Sequence, residues 1–217
     1  MTLQKLQRLP EYQAWERTRS SLLFLHGCNH EDEAIPQSWL SLAVADLIAH
    51  LQKQLKPGGL VAYQMCSPEY TMESVMKGLI SQILDLHPAV LSDADEQREI
   101  EHRISRNHAE NYTGDPEHAP LDDYSWALRL IIDKCDAPVH IVISCPESCQ
   151  GDDLWGLIKN LLRLVRDTKN IVKILTVVRT EFWNIEERLL SLDWDILDSS
   201  TLLVSRQDQT ELEVEGY

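Results

Sequence analysis

The 217-residue chain contains no run of about 18 apolar residues, and its opening stretch, MTLQKLQRLPEY, lacks the apolar core of a secretory signal. These two absences make a soluble, cytoplasmic protein the expectation. Positive charge is scarce as well, with 20 Lys and Arg against 35 Asp and Glu and a formal net charge of −15. That balance argues against a nucleic-acid backbone or an anionic membrane as the main partner, and favours a neutral or basic protein surface. Cysteine is too sparse for a disulfide scaffold: Cys28, Cys66, Cys135, Cys145 and Cys149 make an odd number, spread along the chain, and are expected as reduced thiols. Cys145 and Cys149 stand four apart, but no second Cys/His pair lies near enough to complete a tetrahedral shell, so no metal is expected. Internal repeats and low-complexity tracts are also missing, and one domain is the default at this length.

What is present is an alternation of apolar runs and amphipathic stretches in a chain that is 43% hydrophobic. Residues 1–20 read as a helical lead-in, with Leu3, Leu6, Leu9, Tyr12 and Trp15 at roughly three-residue spacing and Pro10 interrupting. Strands are expected at 21–26, 60–66, 138–145, 171–178 and 201–205. Of these, PVHIVISC is the strongest, and its unbroken apolar character implies a strand covered on both faces. Helices are expected at 38–55, 71–86, 152–166 and 181–192, with an apolar stripe resuming at 124–134. Residues 92–123 turn polar and charged, and read as an insertion made of a solvated helix and a loop. The last residues, 206–217, read as an acidic tail. Strands alternating with helices imply a three-layer α/β domain over 21–205, with a mostly parallel five-stranded sheet flanked by helices. His26 at a strand end and His140 inside an apolar run are expected in or near the core with one ring nitrogen hydrogen-bonded.

The stretch SLLFLHGCNHEDEAIPQS, residues 21–38, is the one around which the rest is organised. A first strand-loop-helix junction in such a sheet puts backbone N–H groups where a phosphate can sit. A working phosphate loop reads G-x-x-x-x-G-K-[ST], because glycines fold the backbone around phosphates, the Lys neutralises them and the hydroxyl holds Mg²⁺. Here Gly27 is followed by Cys28, Asn29 and His30 and then by Glu31, Asp32 and Glu33, with no second glycine and no Lys. Three carboxylates repel a triphosphate.

The order of elements resembles the NACHT-type P-loop ATPases of the STAND class, in the form common in fungal NLR-like and nephrocystin-3-like proteins. The residues that carry the resemblance run from about Leu9 to Ser205. Tyr12-Gln13-Ala14-Trp15 and Leu22-Leu23-Phe24-Leu25-His26-Gly27 look like the family's aromatic lead-in and first strand. Leu60-Val61-Ala62-Tyr63-Gln64-Met65-Cys66 looks like its second strand, with Leu79-Ile80-Ser81-Gln82-Ile83-Leu84 and His87-Pro88 after it. Val139-His140-Ile141-Val142-Ile143 looks like the Walker B strand, and Lys173-Ile174-Leu175-Thr176-Val177-Val178-Arg179 like the sensor strand. The departures fall on the chemistry. The Gly-Lys-Ser/Thr is absent, although Ser38 stands where the hydroxyl usually sits. The metal-holding Asp is replaced by Ser144, and the following acidic pair has become Pro146-Glu147-Ser148.

Losing the phosphate Lys and the metal Asp together removes both cationic partners of a triphosphate. The resemblance therefore implies a P-loop NTPase-like fold without the activity: a pseudo-ATPase with no catalytic residues and no required cofactor, acting through a protein partner. Residual ADP or ATP binding would fall to Gly27, Ser38, Ser144, Glu147 and Arg179. Three of these have a plainer role open to them: a helix cap for Ser38, a solvated acid for Glu147, an ion pair for Arg179. A thiol enzyme in the same crevice is the other class, with Cys28 or Cys145 as nucleophile and His26 or His30 near Cys28. In the family's biology the fold would serve fungal non-self recognition or cell-death signalling.

Overall fold

A computed structural model describes residues 2–28, 41–55, 59–106, 120–151, 154–178 and 202–208. The expectations placed on Asn29, His30, Ser38, Arg179 and the helix at 181–192 lie outside the described residues.

Five strands form one sheet: β1 (Ser21–Cys28), β2 (Leu60–Met65), β3 (Val139–Ser144), β4 (Val172–Val178) and β5 (Leu202–Asp208). Their spatial order is β2-β3-β4-β1-β5, and every pairing is parallel. Parallel neighbours need crossovers, and crossovers are right-handed, so the direction of travel across the sheet decides which face a helix covers. From β1 the chain crosses to the far edge through α3 (Ser41–Gln54). It then steps back one strand at a time, through α4 (Met72–Leu86), α5 (Ala94–Arg106) and α6 (Pro120–Asp133) to β3, and through α7 (Leu154–Asp167) to β4. Opposite directions put α3 on one face and α4, α6 and α7 on the other.

Side-chain alternation along the strands agrees. Leu23, Leu25, Val142, Leu175 and Val177 pack with Val44, Leu47 and Leu51 of α3, whereas Leu22, Phe24, Ile141, Ile143 and Ile174 pack with Met76, Leu79, Leu128, Ile131, Leu157 and Leu161. Both faces of β3 and β4 are thereby covered, which is why their sequences are mostly apolar, with His140, Ser144, Lys173 and Thr176 as the polar exceptions. The result is a three-layer α/β domain.

Local sequence explains the ends of the elements. Thr71 caps α4 by accepting from the Ser74 N–H (3.2 Å), while the Ser74 hydroxyl accepts from the Thr71 N–H (2.9 Å). The inward face of α4 is Met72, Val75, Met76, Leu79, Ile80 and Ile83, the stripe its spacing predicts. The lead-in is two helices, α1 (Leu3–Arg8) and α2 (Pro10–Arg17), because Pro10 is tolerated only in the first turn of a new helix. Tyr12 and Trp15 are both buried, with ring centroids 5.3 Å apart, and the indole N–H of Trp15 donates to the Ile174 carbonyl (2.8 Å).

Two expectations change. Residues 92–123 are not a solvated insertion throughout: α5 buries Ile100 against the core, and α6 starts at Pro120 with Leu121 and Asp123 already buried. Two apolar contacts, Ile100 and the partly buried Ile104, dock a helix whose other faces are charged. The fifth strand runs to Asp208, beyond the predicted end at Ser205, because β1 itself continues to Cys28 and offers Gly27 and Cys28 as partners to Gln207 and Asp208. Backbone pairing there needs no apolar side chain, so residues 206–208 belong to the sheet and not to a frayed tail.

Candidate functional site

The chain leaves the carboxyl end of β1 toward β2 and the carboxyl end of β4 toward β5, so neighbouring strands send it in opposite directions. The topological switch point is between β1 and β4, and in open parallel sheets the crevice outside this point is where ligands bind. The carboxyl end of β1, picked out by its sequence, borders it.

Of the predicted residues, the sheet brings three to this edge. Gly27 is buried near the end of β1, Ser144 ends β3, and Glu147 follows in a 3₁₀ turn, Pro146–Ser148. With β4 between them, β1 and β3 are two strand spacings apart, about 10 Å. The Ser144 side chain is 1% exposed, and its hydroxyl lies 3.7 Å from the Cys145 thiol. Glu147 is half-buried. His26, 7% exposed, pairs with Val178 across β1 and β4. Beneath it in the same strand pair, Thr176 is fully buried and its hydroxyl has no hydrogen-bond partner. Cys28 is the last residue of β1, and its side chain lies outside the described atoms.

Cys145 takes the left-handed backbone conformation, φ 55° and ψ 49°, the one non-glycine residue to do so among those described. Such a turn is strained for a residue with a Cβ, by about 1–2 kcal/mol. It is held from both sides: the Cys145 N–H donates to the Val177 carbonyl (2.8 Å), and the Ser148 N–H donates to the Cys145 carbonyl (2.9 Å). The turn swings the chain off β3 so that Gln150 reaches back to β2's loop. There its N–H donates to the Tyr70 carbonyl (2.7 Å), and Gln150 bridges to Thr71.

A residue that the sequence reading left in a strand joins this edge. Cys66, just past β2, donates its N–H to the Ser144 carbonyl (2.9 Å), and its thiol lies against that of Cys149. Burial, and then Cys149, push the Cys66 thiol far up from its ordinary range; burial pushes Cys149 up as well. The signal available in the sequence was that Cys66 and Cys145 each end a predicted strand. Among the described residues, no group of three or more His, Cys, Asp or Glu is arranged to hold a metal ion.

A second polar cluster lies at the other end of the sheet. Lys173 of β4 is 6% exposed, and its ammonium donates to the carbonyls of Trp15, Glu16 (3.2 Å) and Thr18, capping the C-terminus of α2. Burial lowers the Lys173 pKa to about 8. Its neighbour across β3, His140, meets the edge of the Trp15 ring at 6.0 Å. Nδ1 of its ring has no hydrogen-bond partner, and burial, with Lys173 adding to it, lowers the pKa to about 4. This cluster fastens the lead-in to the sheet and faces away from the crevice.

The architecture and the crevice define a class: a three-layer, wholly parallel α/β domain with one topological switch point. No family model matches the chain, and no curated protein matches it. Among solved structures the chain is similar to the Aeropyrum pernix ORC2 protein, determined as ADPNP–ADP complexes, with a TM-score of 0.46 and 11% identity. The match covers 96% of this chain and 51% of that one, so the chain spans about half the length of that protein. Among the described residues, no helix is long and apolar enough to cross a membrane.

Proposed function

We propose that the chain is a pseudo-NTPase of NACHT or STAND type, an α/β scaffold that presents a surface to a protein partner and does not hydrolyse nucleotide. The observation that carries this reading is the carboxyl end of β3. A metal-dependent phosphoryl-transfer site needs a carboxylate there to hold Mg²⁺ against the phosphates. This strand ends instead in Ser144, a neutral and almost wholly buried hydroxyl, followed by the strained Cys145. The acidic stretch that follows Gly27 in the sequence, with no Lys, supports the same reading. With a net charge of −15, the partner surface is neutral or basic.

The test is calorimetric titration with ATP and ADP, with and without Mg²⁺, beside a phosphate-release assay and a melting curve. No heat, no released phosphate and no shift are expected. A melting temperature that rises with nucleotide concentration would mean a nucleotide-binding switch, with Gly27, Ser38 and Arg179 as the first positions to mutate. Measured phosphate release would end the pseudo-enzyme reading altogether.

The left-handed backbone at Cys145 favours a second reading, a thiol enzyme in the same crevice, since strained turns after strands present nucleophiles. Competitive alkylation of the folded protein at neutral pH separates the two. A nucleophile labels faster than a free model thiol, and a packing residue labels more slowly.

A further inference from the structure

From the contact between their thiols and the two backbone ties that flank it, we infer that Cys66 and Cys149 form an oxidisable dithiol, a modification site whose reactant is a small-molecule disulfide and whose product is an intramolecular Cys66–Cys149 bridge. The inference stands independently of the pseudo-NTPase reading.

The geometry is set by the backbone. Two segments run side by side away from the carboxyl ends of β2 and β3. They are tied at the start by the Cys66 N–H to the Ser144 carbonyl (2.9 Å). They are tied again further on by the Gln150 N–H to the Tyr70 carbonyl (2.7 Å) and the Thr71–Gln150 bridge. Cys66 and Cys149 face each other between these ties, with their thiols in contact. Cys149 is fixed on its own side by its N–H to the Pro146 carbonyl (3.1 Å), and it belongs to the core at 8% exposure. Cys66 is half-buried, so a reagent reaches the pair from its side, beside the exposed Met65 and Tyr70. Cys135 has no such neighbour among the described residues: its thiol donates to the Ile131 carbonyl at 3.3 Å, in the turn after α6.

The chemistry is two exchanges. The thiolate of one cysteine attacks a sulfur of the small disulfide, forming a mixed disulfide and expelling one small thiolate. The second cysteine, deprotonated in turn, attacks the protein sulfur of that mixed disulfide and expels the other small thiolate. The protein loses two thiol hydrogens and is oxidised, while the small disulfide is reduced to two thiols. Because both thiols are held above their ordinary range, the pair rests protonated at neutral pH, and the first exchange quickens as the buffer is made more alkaline. The bridge would lock the segments after β2 and β3 together at the rim of the crevice.

The experiment exposes the reduced chain to oxidised glutathione, quenches it with a thiol alkylator under denaturing conditions, and counts and maps the thiols. The expected result is a loss of two from the five thiols of the chain, one cross-linked peptide pair containing Cys66 and Cys149, and a raised melting temperature that reductant reverses. Cys135→Ser retains the loss of two, whereas Cys66→Ser and Cys149→Ser abolish it. Mapping on the unmodified chain decides the matter even if a variant fails to fold. A mixed disulfide that never resolves, a bridge to Cys28 or Cys145, or an unchanged thiol count would each overturn the assignment.

Discussion

Asn170 shows how much one side chain holds. Its amide nitrogen donates to the carbonyls of Ile132 (3.1 Å), Cys135 (2.8 Å) and Ala137 (2.8 Å), and its amide oxygen accepts from the Ile171 N–H (2.7 Å). Two N–H hydrogens serve three carbonyls, and the residue staples the turn between α6 and β3 to the start of β4. Asn170→Ala leaves those carbonyls without their donor and is expected to cost about 2–3 kcal/mol in urea unfolding. Asn170→Asp keeps the shape but replaces the donor with a carboxylate facing three carbonyl oxygens, so it is expected to cost more than Ala. An Asp variant as stable as the native chain would refute the donor argument. No sequence pattern marked this residue, because its partners lie in a turn more than thirty positions away.

Elements were more legible than single contacts, for a physical reason. The α4 stripe and the mostly apolar β3 run are local patterns, which one window of sequence contains. Strand order does not, since which strands pair depends on crossovers spanning dozens of residues; the switch point between β1 and β4 therefore emerged only with the sheet. The positions of Gly27 and Ser144 at strand ends were readable because strand ends are marked in the sequence, whereas the neighbourhood of Cys66 was not, because it depends on Cys149 across the sheet edge. α5 was read as solvated because only Ile100 and Ile104 reach the core from it. The edge strand β2 shows another nonlocal device. Its pairing with β3 turns the N–H of Tyr63 outward, and Gln82 of α4 meets it: the Tyr63 N–H donates to the Gln82 amide oxygen (3.0 Å), and the Gln82 amide donates to the Tyr63 carbonyl (2.8 Å). A side chain stands where another strand would add. Gln82→Ala is expected to cost about 1–3 kcal/mol and to open the edge to self-pairing. Sedimentation over a range of concentrations reads this out, and a variant that stays as monodisperse as the parent at high concentration would show that the edge is protected by something else.

At the scale of the whole molecule, the buried groups that tie the lead-in to the sheet make stability depend on pH. His140 titrates near pH 4 in the folded chain and near 6.5 once unfolded. Between those values the unfolded chain binds the extra proton, so stability rises with pH across the window and is lost as pH falls from about 6.5 toward 4. The groups facing the ring explain the sign. Trp15 meets it edge-on, Lys173 on β4 carries positive charge at neutral pH, and Glu16 sits beyond that lysine. A protonated imidazole there would be desolvated and next to a like charge. Lys173 acts in the same sense at the alkaline end: with its pKa lowered to about 8, stability rises again between there and the unfolded lysine value near 10.4. His140→Val keeps a strand-forming, apolar side chain on β3 and removes the acid-side titration. Its unfolding free energy, from urea titrations at several pH values, is therefore expected to fall less steeply than that of the native chain between pH 6.5 and 4. The difference is on the order of 1–3 kcal/mol, given the ring's partial exposure. Parallel curves for the two proteins across that window would mean that the imidazole accepts its proton in place, and that the acid limb belongs to the carboxylates alone.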